Sequence, residues 1–145
     1  MTFDFAMLLL FASTAFAADS IVPIPLKCFD CKNINDLSLC NTVTTCNPDQ
    51  VCYVEQNEGI DNVTTSSMGC ANKHPCIDVT RFRIENSNLF SHGVIVGKRS
   101  TGLASCSVCC GDSLCNNVQC FALTKTLREL WKAGHLDLAS LSYKQ

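Results

Sequence analysis

Cysteine decides what chemistry this chain can carry. Twelve of its 145 residues are cysteine: Cys28, Cys31, Cys40, Cys46, Cys52, Cys70, Cys76, Cys106, Cys109, Cys110, Cys115 and Cys120. Cys28-x-x-Cys31 and Cys106-x-x-Cys109 have the spacing of a redox dithiol or of two zinc knuckles. The knuckles are separated by residues 32–105, far more than a compact zinc module uses, and no strand–helix–strand pattern surrounds the first pair as a thioredoxin-like site requires. The three histidines, His74, His92 and His135, could serve a Cys–His hydrolase only beside a free thiolate. There is no G-x-S-x-G, H-E-x-x-H, phosphate-cradling loop or calcium loop. The residues therefore point to cross-linking: an enzyme is not expected, nor a cofactor or a catalytic metal.

Cross-linking needs an oxidising compartment, and the N-terminus supplies the address. Ala6–Phe16 is an apolar run of signal-peptide length, and Ala15-Phe16-Ala17 provides a small–any–small cleavage pattern, so residues 1–17 are expected to be a signal peptide. The leading MTFD carries Asp4 and no Lys or Arg, which is off-pattern. A secreted chain with an even number of cysteines is expected to pair all of them. The formal net charge of −2 gives no reason to expect nucleic acid or an anionic membrane as partner. Beyond residue 17 the chain is rich in Asn, Thr, Ser and Asp, a composition that limits the core. Each closed loop of 10–20 residues contributes roughly 3 kcal/mol in the loop-entropy picture, so the bridges decide whether the domain folds.

The elements that must position these cysteines are short. Residues 18–25, with Ser20–Pro25 at their end, form an extended leader because each proline restricts itself and its predecessor. Val51–Val54 is expected as a strand, Gln56-Asn57-Glu58-Gly59 as a turn, and Ile60–Met68 as the returning strand. Ile77–Ile84 (IDVTRFRI) and Val94–Val96 are expected as two further strands joined by the loop ENSNLFSHG, residues 85–93. After Cys120 the pattern changes. Leu123, Leu127, Leu130, Trp131, Gly134, Leu138 and Leu141 share one side at helical period, which predicts an amphipathic helix over 124–142 with Thr126 and Glu129 as a capping box. Leu136 falls on the wrong side, and Gly134 costs about 1 kcal/mol within a helix. The stripe can serve a partner, a membrane surface or, as favoured here, the chain's own domain.

Twelve cysteines allow about 10,000 complete pairings, and spacing alone does not choose among them. A resemblance does. Leu26-Lys27-Cys28-Phe29-Asp30-Cys31 resembles the L-x-C-[YF]-x-C opening of lymphocyte-antigen-six/urokinase-receptor (LU, uPAR-like) domains. Cys109-Cys110-Gly111-Asp112-Ser113-Leu114-Cys115-Asn116 resembles their closing C-C-x-x-x-x-C-N box, and the cysteines between occur in the family's order. The resemblance covers residues 26–116. It implies a small all-β, disulfide-rich three-finger (snake-toxin-like) fold over 26–120, followed by the helical tail 121–145. It also implies the pairs Cys28–Cys52, Cys31–Cys40, Cys46–Cys70, Cys76–Cys109 and Cys110–Cys115, with Asn116 hydrogen-bonding palm backbone. Cys106 and Cys120 lie outside the ten-cysteine pattern and are expected to pair with each other; the alternative is that Cys106 displaces Cys109 opposite Cys76.

What such a domain does is bind. The resemblance implies a secreted ligand or modulator of an extracellular protein such as a receptor or channel, alternatively an inhibitor of an extracellular enzyme (phospholipase, protease cascade or complement), or a toxin-like effector. The third finger is the candidate reader: Leu89 and Phe90 lie at its expected tip, with Arg81, Arg83, Lys98 and Arg99 nearby. The same residues also fit a hairpin whose Phe90 folds back and whose basic side chains are simply solvated. Asn62-Val63-Thr64 is a glycosylation sequon in finger two. The last fifteen residues contain no ten-residue apolar run, so neither a membrane span nor a lipid anchor is expected.

Overall fold

The computed structural model describes residues 24–59, 61, 63–86 and 105–144. The signal-peptide segment, Asn62, the apolar pair Leu89–Phe90, the basic pair Lys98–Arg99, His92 and the expected strand 94–96 lie outside these residues.

The longest strands among the described residues are the paired β4 (Gln50–Glu58) and β5 (Thr64–Asn72). They form the hairpin expected from the sequence, but residues 56–58 continue the strand rather than turning and the return begins at Thr64 rather than Ile60, with continuous antiparallel register from Gln50↔Asn72 to Glu58↔Thr64. Strand β2 (Cys31–Ile34) adds to one side through β5 and β6 (Ser105–Cys110) to the other through β4, in the order β2-β5-β4-β6. A separate two-stranded sheet joins β1 (Lys27–Phe29) to β3 (Val43–Thr45). Alternation explains the core. Val54 stands opposite Met68 on β5 and Val108 on β6, and all three are fully buried. The same face carries Cys52, Cys70 and Cys110, so the apolar stripe runs into a layer of sulfur.

That layer is bridged throughout. The disulfides are Cys28–Cys52, Cys31–Cys40, Cys46–Cys70, Cys76–Cys109, Cys106–Cys120 and Cys110–Cys115. Cα separations run from 5.3 to 6.2 Å, within the span a bridge accommodates. The set contains the five pairs that the resemblance implies and the additional Cys106–Cys120 staple. Cys106 does not displace Cys109.

One helix departs from the expected all-β domain with its C-terminal helix, leaving a mostly-β domain. Residues 77–84 are not a strand: they belong to α1, Lys73–Glu85. A two-residue period would place Ile77 and Val79 with Arg81 and Arg83, and Ile84 with Asp78, so neither strand face would be apolar. The helical period instead gathers Ile77, Thr80 and Ile84 on one buried side. Arg81 pairs with Glu85 one turn on, at 3.0 Å. The helix borders the sheet at β6. Thr80 Oγ1 accepts the Cys109 N–H at 2.8 Å, Arg83 donates to the Ser105 carbonyl at 3.5 Å, and Cys76–Cys109 bolts the two together. An edge strand that would otherwise present open backbone groups is thereby partly satisfied.

The tail helix, α2, spans Cys120–Lys132 rather than 124–142. It begins earlier because Cys120 is tethered to Cys106 and its N–H is accepted by Gln56 Oε1 at 2.6 Å, which leaves the Thr126–Glu129 capping box without a role. It ends at Gly134, whose φ of +78° makes it a helix stop. Gly134 N–H donates to the Trp131 carbonyl (3.0 Å) and His135 N–H to that of Leu130 (2.8 Å), a Schellman closure. Leu136, off-face in a continuous helix, is thereby turned inward and buried. β7 (Leu136–Asp137) then pairs with β8 (Ser142–Tyr143). Leu123, Leu127, Leu136 and Leu141 are all buried, so the tail's apolar side covers its own domain.

A groove beside the central hairpin as candidate functional site

The site grows from one buried amide. Gln56 occupies the core-facing register of β4, two residues beyond Val54, where a polar side chain must find partners. Its Nε2 donates to Ser66 Oγ at 3.1 Å across the hairpin, and its Oε1 takes the Cys120 N–H. This second bond caps α2 from another element, since Gln119 at the N-cap position makes no side-chain cap bond of its own. Gln56 and the Cys106–Cys120 bridge therefore fix where α2 starts. In the sequence Gln56 reads as a turn residue; the signal that it belongs to a strand is its alternation with Cys52, Val54 and Glu58.

Fixing that start leaves a concavity of about 460 Å³ between the helix, the distal half of the hairpin and the turn after β2. Asp36 and Leu37 form one wall, Glu58 and Thr64 the hairpin's contribution, and Phe121 the helical side. Asp36 caps the short 3₁₀ turn Leu37–Leu39: its Oδ1 accepts the Ser38 N–H at 2.8 Å. The Ser38 backbone N–H, joined by that residue's side chain, holds the Asp36 carboxyl below its ordinary range. Phe121 points outward with 57% of its surface exposed, although Cys120, Leu123 and Leu127 of the same helix are buried. Among the described residues, the ionisable ones lining the groove, Asp36 and Glu58, are both acidic.

The residues expected to read a partner are placed differently from a fingertip. Arg81 is exposed on α1 but already engaged with Glu85. Arg83 is half-buried against β6, where burial pushes its guanidinium down from the usual value. Both sit on a helix flank, and neither lines the groove.

Two further clusters are scaffold. The sulfurs of Cys28, Cys46 and Cys70 lie within 4.8 Å of one another, a separation three metal ligands could share, but each is oxidised in a bridge and offers no thiolate. On the opposite sheet face Lys32 lies 4.9 Å from the Tyr53 ring centroid and 3.6 Å from Asp30. Burial pulls the Lys32 ammonium down, and the Tyr53 hydrogen bond with the Tyr53 and Asp30 charges more than reverses this, leaving its pKa raised. His74 and His135 are exposed. Among the described residues no helix is long and apolar enough to cross a membrane.

Neither comparison with known proteins supplies a relative: no family model matches the chain, and no curated protein is similar to it.

Proposed function

We propose that the protein is a secreted, non-catalytic binding module of the three-finger LU type, a ligand or modulator of an extracellular protein. The observation that carries this reading is the bridging of all twelve cysteines around a four-stranded β-sheet and its two-stranded neighbour, with a concave, aromatic-edged surface held on that frame. Such a frame loses little conformational freedom on binding, which is how a small polar domain reaches useful affinity. The L-x-C-F-x-C opening, the C-C-x-x-x-x-C-N closing box and the pairing between them support the three-finger assignment. Cysteines consumed in bridges support a stable life outside the cell and leave no thiolate beside His74 or His135. Residues 1–17 act as the secretion signal in this reading, and Asn62 is the glycosylation acceptor.

The test is binding of the fluorescently labelled, disulfide-intact protein to intact cells of the source tissue and to its extracellular fluid proteins. Saturable binding that unlabelled protein displaces, and that reduction with alkylation abolishes, is expected. Binding that never saturates, or that survives reduction unchanged, contradicts the reading.

A further inference from the structure

We propose that the groove between Asp36, Glu58 and Phe121 receives an extended, arginine- or lysine-bearing segment of the protein partner. This rests on the binding-module reading above and names the chemistry of its ligand. Among the described residues the groove combines two carboxylates, no cationic lining residue and an outward-facing aromatic ring. A guanidinium or ammonium satisfies all three, pairing with carboxylate oxygens and lying over the ring face. The start of α2 opposes this with a helix-end partial charge of about +0.5, which two full carboxylates outweigh. Moreover, one of its first-turn N–H groups, that of Cys120, is already bonded to Gln56. Asp36 remains ionised well into the acidic range because the Ser38 N–H stabilises its anion. A peptide fits better than a small cation because Asn35, Thr64 and Gln119 also border the groove, offering amide and hydroxyl groups for a backbone to bond.

The experiment is a titration of the ¹⁵N-labelled, disulfide-intact protein with the capped pentapeptide Gly-Arg-Gly-Arg-Gly, beside its citrulline counterpart, which keeps the shape and removes the charge. Shifts centred on residues 35–37, 56–58, 64–66 and 119–121 are expected, weakening about tenfold for citrulline and again when salt rises from about 50 to about 300 mM. The variant combining Asp36→Asn with Glu58→Gln should bind about tenfold more weakly with an otherwise unchanged spectrum, since asparagine retains the cap. Phe121→Ala should weaken binding independently of salt. Equal binding of the two peptides, shifts confined to other surfaces, or response to calcium chloride alone with none to peptide would each overturn the proposal. A natural partner that binds the D36N/E58Q protein undiminished would overturn the groove while leaving the binding-module reading intact; absence of any saturable partner would remove both.

Discussion

Asn116 holds Phe29 as a neighbouring strand would. The two residues are 87 positions apart, yet Asn116 Oδ1 accepts the Phe29 N–H at 3.0 Å and Nδ2 donates to the Phe29 carbonyl at 2.9 Å. The second hydrogen of the same amide goes to the Tyr53 carbonyl at 3.0 Å. A single buried side chain thus joins β1, in the small sheet, to β4, at the centre of the large one. The neighbouring Cys28–Cys52 bridge makes the same connection covalently.

Replacing Asn116 with Asp keeps the shape but converts both donated bonds into repulsions between oxygens and buries a charge. A loss of about 3–5 kcal/mol in urea unfolding with bridges intact is expected. An effect below about 1 kcal/mol would show that the bridge alone holds the sheets together.

Gly111 is where the tail meets the frame. Its N–H donates to the Leu141 carbonyl at 2.8 Å, and a Cβ added there would stand 2.2 Å from the Ser140 carbonyl oxygen. Gly111→Ala should release β7 and β8, exposing the chain after Gly134 to limited proteolysis while amide protection in β4 and β5 is retained. Protection of the tail equal to wild type would contradict the docking.

Truncating the central aliphatic residue tests the sheet core. Met68→Ala leaves a cavity between Val54 and the sulfur layer and should cost about 2–5 kcal/mol. Replacing Cys106 and Cys120 together with Ser should cost about 3 kcal/mol and loosen α2 first, as amide exchange across 120–124 would register. Uniform loosening of the whole sheet would instead make this staple a general requirement.

Acid should act on two turns before it acts on the core. The Ser140 hydroxyl and the Ala139 N–H, aided by the charges of Lys144 and Lys73, hold the Asp137 carboxyl below its ordinary range; the Ser38 N–H does so for Asp36. A carboxyl depressed in the folded state stabilises it above the unfolded pKa, near 4, and that contribution disappears as pH falls through the folded value. The protection factors of the amides at residues 139–141 and at Ser38, that is, exchange corrected for its intrinsic pH dependence, should therefore fall below about pH 4 and stay constant between about pH 5 and about pH 8. Acceleration on raising the pH from neutral, beyond the intrinsic base-catalysed rate, would reverse the assigned sign.

Much of the frame is readable in the sequence because it is local or covalent. The β4–β5 hairpin follows from alternation on either side of Gly59, and the bridges follow the order of the cysteines once the opening and closing boxes are matched. Segments 73–85 and 120–132 resist such reading because remote contacts decide them. Ile77–Ile84 has enough β-branched residues for a strand, and becomes helix through the packing of Ile77, Thr80 and Ile84 and the bridge to β6. Counted inside a helix Gly134 is only a cost; its left-handed φ gives it the opposite role, ending α2 and turning Leu136 inward. The groove is the least readable feature. Asp36, Glu58 and Phe121 are scattered along the chain, and what assembles them is Gln56, whose hydrogen bonds to Ser66 and Cys120 span 10 and 64 positions.

The fold and the groove both depend on all twelve cysteines being bridged. The most direct measurement is mass spectrometry of proteolytic fragments from unreduced, alkylated protein, with fragmentation that separates Cys106, Cys109 and Cys110. The account predicts no alkylated thiol, Cys106 joined to Cys120, and Cys76 joined to Cys109. A free thiol, or a Cys76–Cys106 link, would contradict it.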